Sequence, residues 1–254
     1  MSRHFLVAGA QRCGTTYLRT LLADHPDVAM AEPARPEPKV LLDPARVAQG
    51  VEWYRATYFP HAREGQLLGE KSTSYLDVPA AARAARRLLG DPMVLVQLRD
   101  PVARAVSHWS FSTEQGMERR PLAEVLEANL AGPLPWDGSG ASVSPFAYLE
   151  RGRYAEHLRP WVAEHGDRLR VQLLEDLVAT PATLRDTYAW LGLDPRHRPA
   201  SQGTPVNASG EHTAHPLDPD LHQRLRDYFA DADAELADLL GRDLPWGSPS
   251  RPPA

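Results

Sequence analysis

Short apolar runs alternate along this chain with longer stretches of helical spacing. Phe5-Leu6-Val7-Ala8 is apolar at every position, the pattern of a strand buried on both faces. Met93 to Leu98 (MVLVQL) and Leu169 to Leu174 (LRVQLL) read the same way, and Val28-Ala29-Met30 is a shorter strand candidate. Leu18, Leu21 and Leu22 fall on one face of a helix opened by Thr15 and Thr16 and ended by the Asp24–Asp27 turn. Further helices are predicted over Val51–Phe59, with Trp53, Tyr54 and Tyr58 as packing aromatics, over Pro79–Leu89, from Val102, and around Leu122–Leu130. Tyr148–Trp161 reads as a helix with Tyr154, Leu158 and Trp161 inward. Thr183–Leu191 is a helix stopped by Gly192, and Leu221–Leu240 one stopped by Gly241. Glu175-Asp176-Leu177 reads as a turn. Strands alternating with helices predict an α/β fold: a mainly parallel central sheet flanked by helices, in one domain over 1–247 with a disordered 248–254 tail.

The polar punctuation carries the chemistry. Between the first strand and helix lies Gly9-Ala10-Gln11-Arg12-Cys13-Gly14. Strand, glycine loop, helix cradles a phosphate or sulfate, because the first amides of the helix lack carbonyl partners and its dipole favours negative charge. Arg12 adds a permanent cation; Thr15 and Thr16 add hydroxyls. The glycine spacing is that of a P-loop, but Thr15 stands in the lysine slot. The design repeats after MVLVQL: Arg99 ends the strand, Asp100-Pro101 makes the turn, and the helix carries Arg104 and Ser107, a guanidinium and a hydroxyl suited to a second phosphate. Two anion sites at adjacent strand ends imply a ligand with two separated anionic groups.

Two more polar stretches stand out. Glu32–Lys39 (EPARPEPK) is a loop by its prolines and carries Glu37 and Lys39. GEKSTSYL, Gly69 to Leu76, places hydroxyls at 72–75 beside Lys71, a composition that suits either anion binding or a turn. Gly132–Ser144 is rich in Pro, Gly and Ser and reads as a mobile segment, a candidate substrate-side lid.

Composition narrows the classes. A net charge of −5 over 254 residues gives no support for a nucleic-acid or membrane-surface binder. No apolar run reaches the ~20 residues of a membrane span, and a strand beginning within a few residues of the start leaves no room for a signal peptide, so a cytoplasmic protein is expected. Cys13 is the single cysteine, which excludes an intrachain disulfide; it is either a reactive thiol or a small residue filling a tight loop. Lys39 and Lys71 are the only lysines, every other cationic side chain apart from histidine being arginine. That bias, with abundant Ala and Pro, suggests a GC-rich bacterial genome, and surviving lysines point to sites that need a compact ammonium.

AGAQRCGTTYL resembles the 5′-phosphosulfate loop, and RDPVARAVSHW the 3′-phosphate motif, of the sulfotransferases that use 3′-phosphoadenosine 5′-phosphosulfate (PAPS). GEKSTSYL resembles a third element of the heparan-sulfate-type branch and its bacterial relatives; GRYAEHLRPWV, LLEDLVATP and WLGL resemble later, more structural segments. The resemblance implies that Arg12, Cys13, Gly14, Thr15 and Thr16 hold the 5′-phosphosulfate and Arg99 and Ser107 the 3′-phosphate. It implies that the loop bearing Ser209 and Gly210 covers the adenine. Glu37 falls at the place of the branch's catalytic glutamate, and Lys71 matches the motif lysine. The implied reaction is in-line sulfuryl transfer to a hydroxyl or amine, with 3′-phosphoadenosine 5′-phosphate released. Glu37 would be the base, Arg12 and Lys71 the neutralising cations, and no metal would be required. The expected acceptor is a small molecule or carbohydrate, with a bacterial secondary metabolite first. His61 and His108 are alternative bases. An ATP-dependent P-loop kinase and a catalytically inactive nucleotide-binding module are alternative functions.

Overall fold

The structure is a computed structural model that describes residues 3–203 and 217–246. The chain divides into two compact units, Met1–Leu98 with Pro160–Asn207, and Arg99–Arg159 with Ala208–Ala254.

The first unit is built on a five-stranded parallel sheet: β1 (His4–Gly9), β2 (Val28–Met30), β3 (Leu67–Lys71), β4 (Met93–Leu98) and β5 (Leu169–Leu173), in the order β2-β3-β1-β4-β5. The three central strands are buried nearly throughout because both faces are covered, which is why their sequences do not alternate. Phe5 and Val7 of β1, Leu95 of β4 and Met30 of β2 share a core with Leu18, Leu21 and Leu22 of α1 (Thr15–Asp24) and with Leu184, Tyr188 and Leu191 of α9 (Pro181–Leu191). Helices α2 (Pro44–Ala48), α3 (Gly50–Tyr58), α4 (Pro79–Leu89) and α8 (Leu174–Ala179) belong to the same unit.

Sequence pattern and structure differ in three places. β3 was not expected. Its sequence, LLGEK, hides its strand character because Gly69 is forced by contact: a Cβ there would lie 2.2 Å from the Phe5 ring and 2.7 Å from the Met30 sulfur. The predicted turn at Glu175–Leu177 is the short helix α8, whose first turn carries Glu175 and Asp176 where the helix dipole favours acids. The predicted Tyr148–Trp161 helix is α7 (Tyr154–His165), six residues shorter at its start. Asn129 takes the Leu149 amide at 2.9 Å, and Gly152 passes so close to Phe229 and Pro101 that a Cβ would not fit.

The second unit packs α5 (Pro101–Glu114), α6 (Leu122–Leu130) and α10 (Pro219–Leu240) through Val102, Ala105, Trp109, Val125, Leu126, Leu225 and Phe229. Residues 133–146 form no regular element, and with Met117 several of them, notably Trp136 and Phe146, line an open cleft of about 750 Å³. Asp100 explains the charge in Arg99-Asp100-Pro101. Its Oδ1 caps α5 by accepting from the amides of Val102 (2.9 Å) and Ala103 (3.4 Å), and its Oδ2 lies 2.5 Å from Arg226 of α10. Among the described residues no helix is long and apolar enough to cross a membrane.

Removing both the cap and this partly buried ion pair should lower stability by about 2 kcal/mol. Asp100→Ala is therefore expected to shift the urea midpoint downward with an unchanged slope; a midpoint equal to wild type refutes the dual role.

Candidate active site

The C-terminal ends of β1, β2 and β3 lie at one edge of the sheet, because the strands are parallel. β1 delivers the glycine loop. Arg12 takes a left-handed conformation (φ 66°) and is half-buried, and Gly14, also left-handed at φ 72°, caps α1. A side chain at Gly14 would be strained twice over, since its Cβ would also lie 2.7 Å from Leu174. The N-terminus of α1 has no side-chain cap and no acid in its first turn, so its amides and dipole are open to an anion. Thr15 is buried and Thr16 half-buried. Cys13 is buried, with its thiol 3.6 Å from the Gln11 carbonyl, which matches a residue filling a tight loop.

β3 delivers Lys71, which pairs in register with Val7 of β1. The loop after β2 delivers Glu37. These two residues, remote in sequence, meet: Lys71 Nζ lies 2.6 Å from Glu37 Oε1. The Thr73 amide donates to Glu37 Oε2 at 3.0 Å, and the Thr73 hydroxyl lies 3.2 Å from the same oxygen. The glycine loop joins this wall, since Gln11 donates to the Ser74 hydroxyl at 3.4 Å and the Leu76 amide to the Ala8 carbonyl at 2.9 Å.

Beneath the pair lies a carboxylate that the sequence does not set apart. Glu70 is 1% exposed and accepts from three hydroxyls: Tyr75 at 2.5 Å and Ser72 at 2.6 Å on Oε1, and Tyr54 at 2.7 Å on Oε2. Burial pushes its carboxyl above the usual range, against the pull of these donors, and neighbouring Glu37 adds to the push. Burial and the Glu70 charge push Tyr54 and Tyr75 well up, which keeps both as donors. The Ser72 hydroxyl also accepts the Lys39 amide at 2.9 Å, fixing the Glu37 loop, where Lys39 is left-handed at φ 52°. The hydroxyls at 72, 73 and 75 thus serve Glu70 and Glu37. The anion-binding reading of that run is corrected: a carboxylate out of water needs donors, and these are the nearest.

In the second unit, Arg99 is half-buried, with its carbonyl accepting from Tyr154 at 2.8 Å, and Ser107 is buried on α5. Arg104 is fully buried and donates to the Tyr148 carbonyl, so it is a structural residue. His108 is buried against the Tyr148 ring beside Arg104, and exposed His61 faces Glu32 and the Met30 carbonyl. Ser209 and Gly210 lie outside the described residues, as does the 248–254 tail. No group of three or more potential metal ligands occurs among the described residues.

A family model described as a sulfotransferase domain matches residues 2–183. The chain is 29% identical over 265 residues to heparan sulfate glucosamine 3-O-sulfotransferase 3A1 of Mus musculus, covering 95% of this chain and 63% of that protein. It is 31% identical over 202 residues to bifunctional heparan sulfate N-deacetylase/N-sulfotransferase 1 of Caenorhabditis briggsae, covering 74% of this chain and 22% of that protein. It therefore spans less than two thirds of the length of either relative. Among solved structures, a sulfotransferase from Alicyclobacillus acidocaldarius shares the fold with a TM-score of 0.76 at 24% identity, covering 96% of this chain and 98% of that one.

Glu70 holds its proton more tightly folded than unfolded, so its contribution to stability falls as pH rises from the ordinary value of 4.5 through its raised one. Glu70→Gln lacks this titration. Its stability deficit relative to wild type, from urea unfolding at pH 5 and pH 8, is expected to shrink at the higher pH. A deficit independent of pH would show that Glu70 is not shifted.

Proposed function

Because the chain belongs to the sulfotransferase family whose domain spans most of it, we propose that it transfers the sulfuryl group of PAPS to a hydroxyl or amine of a small-molecule or carbohydrate acceptor. The observation that carries this reading is the Glu37–Lys71 pair, held at 2.6 Å on the same sheet edge as the glycine loop. The residues fit an anionic donor. The start of α1 is uncapped and free of acids, and Arg12 supplies a permanent cation. Arg12, Cys13, Gly14, Thr15 and Thr16 would hold the 5′ end, and Arg99 and Ser107 the 3′-phosphate. When bound, PAPS supplies the sulfuryl group and leaves as the 3′,5′-bisphosphate.

The chain's own residues do the rest. Glu37 takes the proton of the acceptor's hydroxyl or amine on a carboxylate oxygen, raising the nucleophilicity of the attacking atom. Thr73 holds that carboxylate in place through its amide and hydroxyl. As Glu37 becomes neutral, Lys71 loses its partner, and the ammonium is released to offset negative charge on the departing phosphate, together with Arg12. The contacts of His61 and His108 favour neither as base: one faces Glu32 and the Met30 carbonyl, the other Arg104 and Tyr148.

Glu37→Gln is expected to bind adenosine 3′,5′-bisphosphate within about threefold of wild type. Its release of that product from PAPS, over a panel of hydroxyl and amine acceptors, should fall at least ~100-fold, equivalent to about 3 kcal/mol of barrier. Turnover near wild type removes Glu37 from the base role. Arg99→Ala should raise the bisphosphate Kd roughly 10- to 100-fold, the loss of a charge-assisted contact; an unchanged Kd refutes the 3′-phosphate assignment.

A further inference from the structure

Two glutamines interrupt the apolar strands β4 and β5, and the parallel register sets Gln97 beside Gln172. Both are buried in the sheet, at 0% and 5% exposure. Amides in such a place need partners on every polar atom, and these form a directed chain. The Thr187 hydroxyl, also 2.8 Å from the Thr183 carbonyl, donates to Gln172 Oε1 at 2.7 Å. Gln172 Nε2 donates to Gln97 Oε1 at 2.9 Å, and Gln97 Nε2 to the Cys13 carbonyl at 2.6 Å. That carbonyl only accepts, so it sets the polarity of the chain: Gln97 must turn its NH2 to the loop, its oxygen to Gln172, and Gln172 its oxygen to Thr187. Gln97 also grips the other end of the loop, since its own carbonyl accepts the Ala10 amide at 2.8 Å.

A trans peptide points its C=O and the following N–H in opposite directions. Tying the Cys13 carbonyl to the sheet therefore aims the Gly14 N–H away from the sheet interior, toward the mouth of the loop. Gly14 at φ 72° has the freedom to turn that peptide the other way. We propose that Gln97 is a positioning residue: through the Cys13 carbonyl, with Gln172 and Thr187 behind it, it presents the Gly14 amide to the 5′ anion of the donor nucleotide. This rests on the reading that the glycine loop binds that end. An apolar side chain at 97 would fill the space but remove this donor from the Cys13 carbonyl, and a flipped Cys13–Gly14 peptide would then aim that oxygen at the anion.

The test separates the two ends of the ligand. Calorimetric Kd values for adenosine 3′,5′-bisphosphate and adenosine 3′-monophosphate are measured on wild type, Gln97→Leu and Gln172→Leu. Wild type should prefer the bisphosphate by at least about tenfold. In Gln97→Leu that preference should fall to about threefold or less while the 3′-monophosphate Kd stays within about twofold of wild type; Gln172→Leu should lie between. A wild-type preference retained in Gln97→Leu overturns the inference, as does an equal weakening of both ligands, which marks a general structural role. If Gln97→Leu does not fold, Gln172→Leu decides: a reduced preference supports the inference and an unchanged one overturns it. Absence of any preference in the unaltered chain overturns the loop reading itself, and the inference with it.

Discussion

The buried carboxylate of Glu70 is the constraint on which the site depends. Taking a carboxylate out of water costs several kcal/mol, and each hydrogen bond to a charged group returns about 1.5 to 3 kcal/mol, so three hydroxyls are needed to approach balance. Those hydroxyls come from three places in the chain, Tyr54 on α3, Ser72 just past β3 and Tyr75 in the following turn. Each is thereby fixed in position, and two of them have a second task. The Tyr75 hydroxyl accepts the Leu41 amide at 3.2 Å and Ser72 the Lys39 amide, so both clamp the loop that carries Glu37. A well-packed apolar group in place of Glu70 could be as stable, but it would take away the acceptor that orients the Ser72 and Tyr75 hydroxyls, whose oxygens hold the amides of that proline-rich loop.

The sheet converts this local order into a site. Parallel strands bring all their carboxyl ends to one edge, and the order β2-β3-β1 sets the Glu37 loop, Lys71 and the Arg12 loop on consecutive strands. Lys71 reaches Glu37 only because β3 pairs Lys71 with Val7 and not with a neighbour; a one-residue slip would turn the side chain to the opposite face. Gly69, which lets the Phe5 ring and Met30 sulfur close over β3, holds that register from below.

Much of this was legible in the sequence, for reasons that differ from element to element. β4 and α4 announce themselves, the first by an apolar run broken only at Gln97, the second by Pro79 at its start and Gly90 at its end. β3 did not, because a strand that follows two leucines with a contact-forced glycine, a buried acid and a lysine looks like a loop to any hydrophobicity rule. α7 began late: Asn129, distant in sequence, takes the Leu149 amide, and Gly152 passes too close to Phe229 and Pro101 for any side chain. At the site, the scarcity of lysine singled out Lys71, and family resemblance singled out Glu37, but neither revealed that the two touch. Nor does a run of hydroxyls declare what it donates to. Gln97 left a trace, a polar residue inside an apolar strand, but its target lies across the sheet in the glycine loop and becomes visible only with the register.

The geometry also bears on why a chain so rich in arginine keeps a lysine at 71. The Thr73 amide donates to Glu37 Oε2 at 3.0 Å, the Thr73 hydroxyl lies between the two oxygens at 3.2 and 3.3 Å, and Lys71 Nζ meets Oε1 at 2.6 Å, so Thr73 occupies ground that a second cationic contact would need. A guanidinium binds a carboxylate best as a fork across both oxygens, which would set it against Thr73, whereas an ammonium needs only one. The difference bears on the proposed chemistry. A forked arginine would grip the carboxylate through two bonds and resist its protonation. A lysine on one oxygen leaves Oε2 with neutral partners and would give up its contact when a proton arrives, so in the proposed reaction the acid–base event at Glu37 and the release of positive charge from Lys71 would be one step.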